Sequence, residues 1–262
     1  MSNPNQAASK ASPPSLNKAT KEGVVVVEIG TGPVRHHVHK ALLQYHSEYF
    51  RGVFNGPWKE AKEGVVRLSD IEPSVFSLFV HWLYSQQLPP ILKDWEYVLD
   101  MEFSSLFHYY SIRYAVCIKA YIFGDRFIAP GFRRAAHNMF ATDFQRNNMW
   151  YYSRVPSITL AFANIPSNRV ILQLIADNYR LRWETDELPL WVFTPTEQAR
   201  LPGALLTRIM RSYREVGKGT KAEETALFQS RCYLEHQDEE EKGKCSKKHM
   251  IYNAEADCAY FH

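Results

Sequence analysis

The sequence lacks a secretory signal, long apolar runs and any strong excess of charge, and each absence excludes a class of protein. The first ten residues, MSNPNQAASK, contain no apolar signal region, so we expect an intracellular protein, in the cytoplasm or the nucleus. Its four cysteines are then expected to be thiols or metal ligands, not disulfides. Apolar runs such as residues 24–27 are far shorter than the roughly 20 residues of a membrane-spanning helix. A net charge of +3 does not by itself indicate direct nucleic-acid binding.

Catalytic signatures are also missing. The sequence contains no H-E-x-x-H, no G-x-S-x-G, no phosphate-binding loop and no carboxylate pair with a recognisable spacing. Gly30 and Gly32 could begin a dinucleotide-binding fingerprint, but Arg35 occupies the position of its third glycine. We therefore predict that the protein is not an enzyme and requires no cofactor for catalysis.

The chain does contain a clear succession of short strands and helices. A valine-rich strand at residues 24–29 is followed by a GTGP turn, a second extended segment and a helix that begins at His39. Ser47 is expected to cap the next helix, and residues 64–68 form a third strand. Pro73 is placed to begin a helix. One face of that helix is apolar, with the spacing i, i+3, i+4, i+7: Phe76, Phe79, Val80 and Leu83.

These segments resemble a known family. The strings VHKALLQYHSEYF, WKE and VVRLSDIEPSVFSLFVHWLYSQQL, in this order, are similar to a BTB/POZ domain. The later strings YIFGDRFIAPGFRRAAHNMF and VILQLIADNYRLRW resemble the single-BTB proteins of filamentous fungi, so that the resemblance covers roughly residues 22 to 215. It implies an α+β fold, in which a small sheet and a helical cluster are followed by an all-helical C-terminal extension. It also implies a protein-interaction module that forms homodimers.

Four regions are predicted along the chain. Residues 1–21 are polar and form a disordered arm; residues 22–145 form the BTB/POZ domain; residues 146–216 form the helical extension; residues 217–262 form a charged tail. The domain carries an insertion at residues 88–112 with more aromatic side chains than a solvated loop would have. The insertion is either an extra helix on the protein's own core or a partner-binding face.

Two positions bear on the partner that the resemblance implies. BTB adaptors of cullin-RING ubiquitin ligases carry a hydrophobic residue, any residue and then Glu after the second helix, and Trp58 and Glu60 fit that pattern. Alternatively, Trp58 folds onto its own core. Transcription-factor members pair the basic position matching Lys40 with an Asp on the first strand, but Val24 occupies that position here. A corepressor-binding pocket is therefore not expected.

The last 31 residues contain three C-x3-H pairs that repeat every 13 residues: Cys232 and His236, Cys245 and His249, and Cys258 and His262. If each pair were helical, its thiolate and imidazole would lie on one face, and two pairs would complete a tetrahedral zinc site. The pairs lack the wider loop and the apolar positions of nucleic-acid-binding fingers. A solvated tail is the alternative. The cluster His36, His37 and His39 is not predicted to bind metal, because an extended chain places at most two of these rings on one face.

The sequence therefore favours an adaptor or scaffold that self-associates, specifically a substrate adaptor for a cullin-RING ubiquitin ligase. The alternative is a zinc-binding or transcription-related regulator that uses Cys232, His236, Cys245 and His249.

Overall fold

The computed structural model describes residues 14–146, 155–183, 195–216 and 220–249. Its strands are β1 (Val24–Ile29), β2 (Val34–His39), β3 (Val65–Leu68), β4 (Arg231–Cys232) and β5 (Lys248–His249). Its helices are α1 (Leu16–Lys21), α2 (Lys40–His46), α3 (Glu48–Asn55), α4 (Lys59–Glu63), α5 (Pro73–Ser85), α6 (Leu92–Leu99), α7 (Leu106–Arg126), α8 (Pro130–Arg146), α9 (Val155–Asn164), α10 (Val170–Trp183), α11 (Pro195–Gln198), α12 (Gly203–Val216), α13 (Lys221–Ser230) and α14 (Glu239–Lys244). Over these ranges, no helix is both long enough and apolar enough to cross a lipid bilayer.

The larger sheet has three strands in the order β2-β1-β3. The central strand β1 pairs antiparallel with β2 and parallel with β3, so the sheet is mixed. Val25, Val27 and Ile29 alternate with more exposed residues along β1 and face the core, as the two-residue period of a strand requires. The predicted α+β class, with a small sheet, a helical cluster and a helical C-terminal region, is confirmed.

An aromatic core joins the helices that follow the sheet. Ser47 separates α2 from α3 and caps α3, because its hydroxyl accepts a hydrogen bond from the backbone N–H of Phe50 at 3.2 Å. The same hydroxyl donates to the carbonyl of Phe127 at 2.6 Å. The core rings come from α3, α5, α7, α8 and the turn after α7: Phe50, Phe76, Phe79, Phe123, Phe127 and Phe132.

Helix α7 is enclosed on all sides. None of its residues between its first and last positions is exposed, and Val116, Cys117 and Ile118 are buried in succession, which a helix with one apolar stripe would not show. At Gly124 the helix approaches α8 so closely that a Cβ atom would lie 2.7 Å from Cβ of Arg133. A side chain at this position would push the two helices apart.

The insertion at residues 88–112 contains α6 and the start of α7. Trp95 of α6 is completely buried, and its indole N–H donates to the carbonyl of Pro89 at 2.8 Å. The Arg113 guanidinium lies 5.5 Å from the centroid of the Trp95 ring. Helix α6 of this segment thus packs on the protein's own core through Trp95. Tyr97, on the outer face of the same helix, is 88% exposed.

Both ends of the described chain are more ordered than the sequence suggested. Helix α1 lies within the arm for which we predicted disorder; Ser15 caps it and Ala19 packs with Ala41 and Leu42. Residues 1–13 lie outside the described residues. The predicted charged tail contains α13, β4, α14 and β5, and Tyr233 within it belongs to the main core.

His46 at the end of α2 provides a pH-dependent contribution to stability. Its ring packs edge-on against Trp82 at 4.9 Å between centroids, and burial lowers its pKa from 6.5 to about 4. Between these two values the unfolded chain binds a proton that the folded chain does not bind. The contribution is therefore complete above pH 6.5 and is lost as the pH falls toward 4.

We expect the urea midpoint of unfolding to fall over this pH interval, and the His46→Gln variant to show a smaller fall. Burial also lowers the pKa values of His36 and His81, so the difference between variant and wild type is the informative quantity. The exposed His37→Gln variant is the matched control and should retain the wild-type slope. Equal slopes for His46→Gln and wild type would contradict this assignment.

Candidate partner surface and candidate metal centre

Trp58 lies in the short connection between α3 and α4. Its side chain is 60% exposed and is not part of the main core, so it does not fold inward as the sequence allowed. The ring lies directly over Gly56, where an added Cβ would be 2.5 Å from its Cδ1 and Nε1 atoms. Only glycine at position 56 permits this contact, which holds the indole against the backbone with its remaining surface in solvent.

Acidic side chains accompany this ring. Glu60 lies in the first turn of α4. Burial raises the pKa of the nearby Tyr49 hydroxyl, and the carboxylates of Glu60 and Asp70 raise it further, whereas Arg126 lowers it. Asp70 forms an ion pair with Arg126, which holds the pKa of Asp70 below its usual value. We call Trp58 and Glu60, which are two residues apart, the Trp58 surface; Tyr49 lies within electrostatic range of Glu60 and Asp70.

The surroundings of Lys40 agree with the sequence, in which Val24 stands where transcription-factor members carry an Asp. Val24 pairs with His39 across β1 and β2 and is exposed. The Lys40 ammonium lies 5.7 Å from the centroid of the Phe54 ring, an aromatic environment in place of an acidic one.

Two of the three histidines of β2 make contacts with neighbouring aromatic side chains. His36 lies edge-on to Phe76 at 5.0 Å, and Nδ1 of His39 is 2.8 Å from the Tyr84 hydroxyl.

Two Cys/His pairs converge near the end of the described chain. The ligand atoms of Cys232, His236, Cys245 and His249 all lie within 4.8 Å of one another. The two sulfur atoms are 3.7 Å apart, the two Nε2 atoms are 3.0 Å apart, and the Cys232 sulfur is 3.3 Å from Nε2 of His236. No other group of this kind occurs in the described ranges. The sulfur separation is far from the roughly 2.05 Å of a disulfide.

The pairs meet through strand pairing, and neither pair is helical. Cys232 ends β4 and His249 ends β5, and these two residues are partners in the parallel two-stranded sheet. Between them the chain passes through α14. The third pair, Cys258 and His262, lies outside the described residues.

A buried carboxylate fixes the first pair. Asp177 of α10 accepts hydrogen bonds from Arg231 at 2.8 Å and from the Tyr233 hydroxyl at 2.6 Å, and also from Gln173 and Ser212. These donors come from α10, α12 and the segment around β4, and together they occupy both oxygens of the carboxylate. The residues on either side of Cys232 are therefore held against α10.

Glu235 fixes the segment on its other side. Its carboxylate accepts from the Tyr121 hydroxyl at 2.8 Å and from Arg133 at 3.2 Å. Its backbone N–H donates to the side chain of Asn138 at 2.8 Å. The segment between Cys232 and His236 is thus attached to α7 and α8.

Asp125 and Cys117, two groups that could suggest a catalytic site, have structural roles. Asp125 accepts from Arg133 at 2.8 Å and from Arg169 at 3.2 Å. Cys117 is buried in α7, and burial raises the pKa of its thiol to about 12, so it is not a ready nucleophile.

Residues 18–118 match the family model of the BTB/POZ domain. This segment holds the β2-β1-β3 sheet, the helices around it and the Trp58 surface. Residues 18–118 form a BTB/POZ domain. Such domains are protein-interaction modules, not catalytic ones, and they commonly self-associate and bind cullins.

The BTB/POZ match ends inside α7 and covers neither the helical extension nor the metal cluster. The boundaries that we predicted, residues 22–145, 146–216 and 217–262, therefore stay predictions. So does the kinship with fungal single-BTB proteins.

The sequence did not reveal the role of Asp177, Arg231 or Tyr233. Residues 174–181 of α10 are all buried, whereas the sequence indicated one stripe. An Asp that directly follows the apolar residues LIA of α10 is the signal that could have indicated a paired internal charge.

We expect Asp177→Ala to destabilise the protein by about 3–5 kcal/mol, because it leaves the buried Arg231 guanidinium without its carboxylate. Urea unfolding monitored by circular dichroism measures the change. The matched control is Glu240→Ala, which removes an exposed ion pair with Lys244 and should cost less than about 1 kcal/mol. A similar cost for the two variants would show that the Asp177 network is not an anchor.

Proposed function

We propose that the protein is a self-associating adaptor or scaffold whose BTB/POZ domain binds a cullin through the Trp58 surface, as in cullin-RING ubiquitin ligases. The observation that supports this most strongly is the exposed Trp58 ring. It lies in the loop after α3, where the cullin-binding pattern places its hydrophobic residue, and Glu60 follows at the expected spacing. A tryptophan in such a position can remove a large area from water on docking.

The geometry around Trp58 also reduces the cost of binding. Because Gly56 allows the ring to lie against the backbone, part of its conformational freedom is already lost before a partner arrives. The Glu60 carboxylate next to Trp58 favours a partner with a basic group at this position.

The alternative, a transcription-related regulator, receives less support. The charged pocket on which corepressor recruitment depends in the family would need an acid near Lys40. Val24, which matches that acid by its position in the sequence, is an exposed apolar residue, and the Lys40 ammonium lies near the Phe54 ring.

The cullin proposal predicts that Trp58→Ala weakens binding to a purified cullin N-terminal domain by about 2 kcal/mol or more, which is about 30-fold in Kd. Isothermal titration calorimetry would measure the affinity, and circular dichroism would verify the fold. Glu60→Ala should act in the same direction, and the double variant should bind most weakly.

Tyr97→Ala is the matched control, since Tyr97 is another exposed aromatic residue, on α6. It should bind like wild type. A wild-type protein that does not bind any cullin, or a Trp58→Ala variant that binds as tightly as wild type, would exclude this function.

We expect self-association to use the start of β1, which lies at the end of the strand away from the β1–β2 turn. Val24 and Tyr84 are exposed there, and both lie next to His39: Val24 by strand pairing and Tyr84 by its hydroxyl. Within the described residues, β2 and β3 are both edge strands, which are available for pairing with another chain.

We expect the wild-type protein to be a dimer in light-scattering chromatography and the Val24→Lys variant to dissociate at concentrations at which wild type does not. A lysine here would place a charge in the apolar patch beside Lys40. Tyr97→Lys adds the same charge at an unrelated exposed site and should leave the dimer intact. A monomeric wild type would contradict self-association, and a dimeric Val24→Lys would place the interface elsewhere.

A further inference from the structure

Three separations between ligand atoms of the Cys/His cluster are close to those of a tetrahedral metal site. With Zn–S bonds of about 2.3 Å and Zn–N bonds of about 2.0 Å, a tetrahedron separates two sulfurs by about 3.8 Å, two nitrogens by about 3.3 Å and a mixed pair by about 3.5 Å. The corresponding distances here are 3.7, 3.0 and 3.3 Å. Hydrogen bonding can account for any one of these contacts, whereas a shared metal ion accounts for the convergence of all four ligand atoms within 4.8 Å.

We propose that Cys232, His236, Cys245 and His249 bind one Zn²⁺ ion in a structural site. Two thiolates and two neutral imidazoles are the donor set that zinc prefers over magnesium or calcium. On binding, each thiol gives up its proton, so two protons are released to solvent and the two thiolates balance the charge of the ion. Four protein ligands leave no open position for substrate, and the site is therefore structural.

The first two ligands are positioned before any metal arrives. Arg231 and Tyr233 are bound to Asp177 on one side of Cys232, and Glu235 is bound to Tyr121 and Arg133 just before His236. A site that is half assembled by the fold loses less conformational entropy when the ion binds.

The other two ligands lie on a segment that the hydrophobic effect cannot hold. None of residues 237–249 is buried, and α14 has no buried side chain. The ion pairs of α14, such as Lys244 with Glu240, are exposed and contribute little. Among the described residues, hydrogen bonds from Arg134 to Gln237 at 3.2 Å and from Lys247 to Gln145 at 3.1 Å connect this segment to α8, and the short β4–β5 pairing adds to them. The zinc ion supplies the missing stabilisation by closing the loop between His236 and Cys245.

This inference does not depend on the cullin proposal, because none of the four ligands lies within residues 18–118. Zinc content and cullin affinity are measured separately, so either proposal can fail while the other holds.

The first test is the metal content of the full chain, purified with a reductant and without chelator and measured by inductively coupled plasma mass spectrometry. We expect one equivalent of zinc. After zinc removal, Co²⁺ should produce the visible bands of a tetrahedral site together with a thiolate-to-cobalt charge-transfer band. A chain that carries no zinc and gives no tetrahedral cobalt spectrum would overturn the proposal.

Variants identify the ligands. Cys245→Ser and His249→Gln, both on the exposed segment, should each lower the zinc content to well below one equivalent while the circular dichroism of the helical body is retained. The matched control is the double variant Cys258→Ser, His262→Gln, which changes the third pair and should keep its zinc. Zinc that is lost in the control but retained in Cys245→Ser would overturn this ligand set.

The second test measures whether zinc holds residues 237–249 against the rest of the protein. Trypsin should cleave after Lys242, Lys244, Lys247 and Lys248 at least 10-fold faster once zinc is removed, whereas cleavage after Lys59 and Lys62 in α4 should keep its rate. Peptide mass spectrometry distinguishes the sites. Equal cleavage of the segment with and without zinc would show that the ion does not close it.

Discussion

Helix α7 must be covered on every side, and the arrangement of the other elements follows from this constraint. The hydrophobic effect favours the removal of its large side chains from water around the whole circumference. Phe123 near its end packs with Phe76 and Phe79 of α5, while Tyr114 packs with Phe140 and Phe144 of α8. The BTB/POZ sheet and helices alone cover one side. The extension is needed for the rest, and one continuous core accordingly reaches from Val25 to Tyr233.

Local patterns were sufficient for the first part of the fold. The apolar run of β1, the cap at Ser47 and the proline at the start of α5 each act over a few residues, and the structure confirms all three. The Asp177 network could not be predicted in this way, because its donors Ser212 and Tyr233 are 35 and 56 residues away along the chain. Whether a charge is buried with partners depends on packing that no short pattern contains.

In the candidate sites, too, short sequence patterns predict some features, whereas long-range packing decides others. The types and spacing of the Cys/His residues made them candidate metal ligands, but neither described pair is helical. Parallel pairing of β4 with β5 aligns Cys232 with His249 instead, and that pairing joins residues far apart in sequence. For Trp58 the sequence left two orientations open. The contact with Gly56 that decides between them depends on the backbone path after α3, which side-chain periodicity does not describe.

A BTB/POZ domain that ends in the middle of a buried helix has a mechanical consequence. The family match stops at residue 118, whereas α7 continues to Arg126 and ends against α8 through the close contact at Gly124. A displacement of α8 would therefore shift Phe123 and Phe127, which pack with Phe50 and Phe79 beneath α3 and α5. Glu235 binds α7 and α8 together, so the segment between Cys232 and His236 also fixes this contact. Packing around α7 thus connects this segment to the core of the BTB/POZ domain.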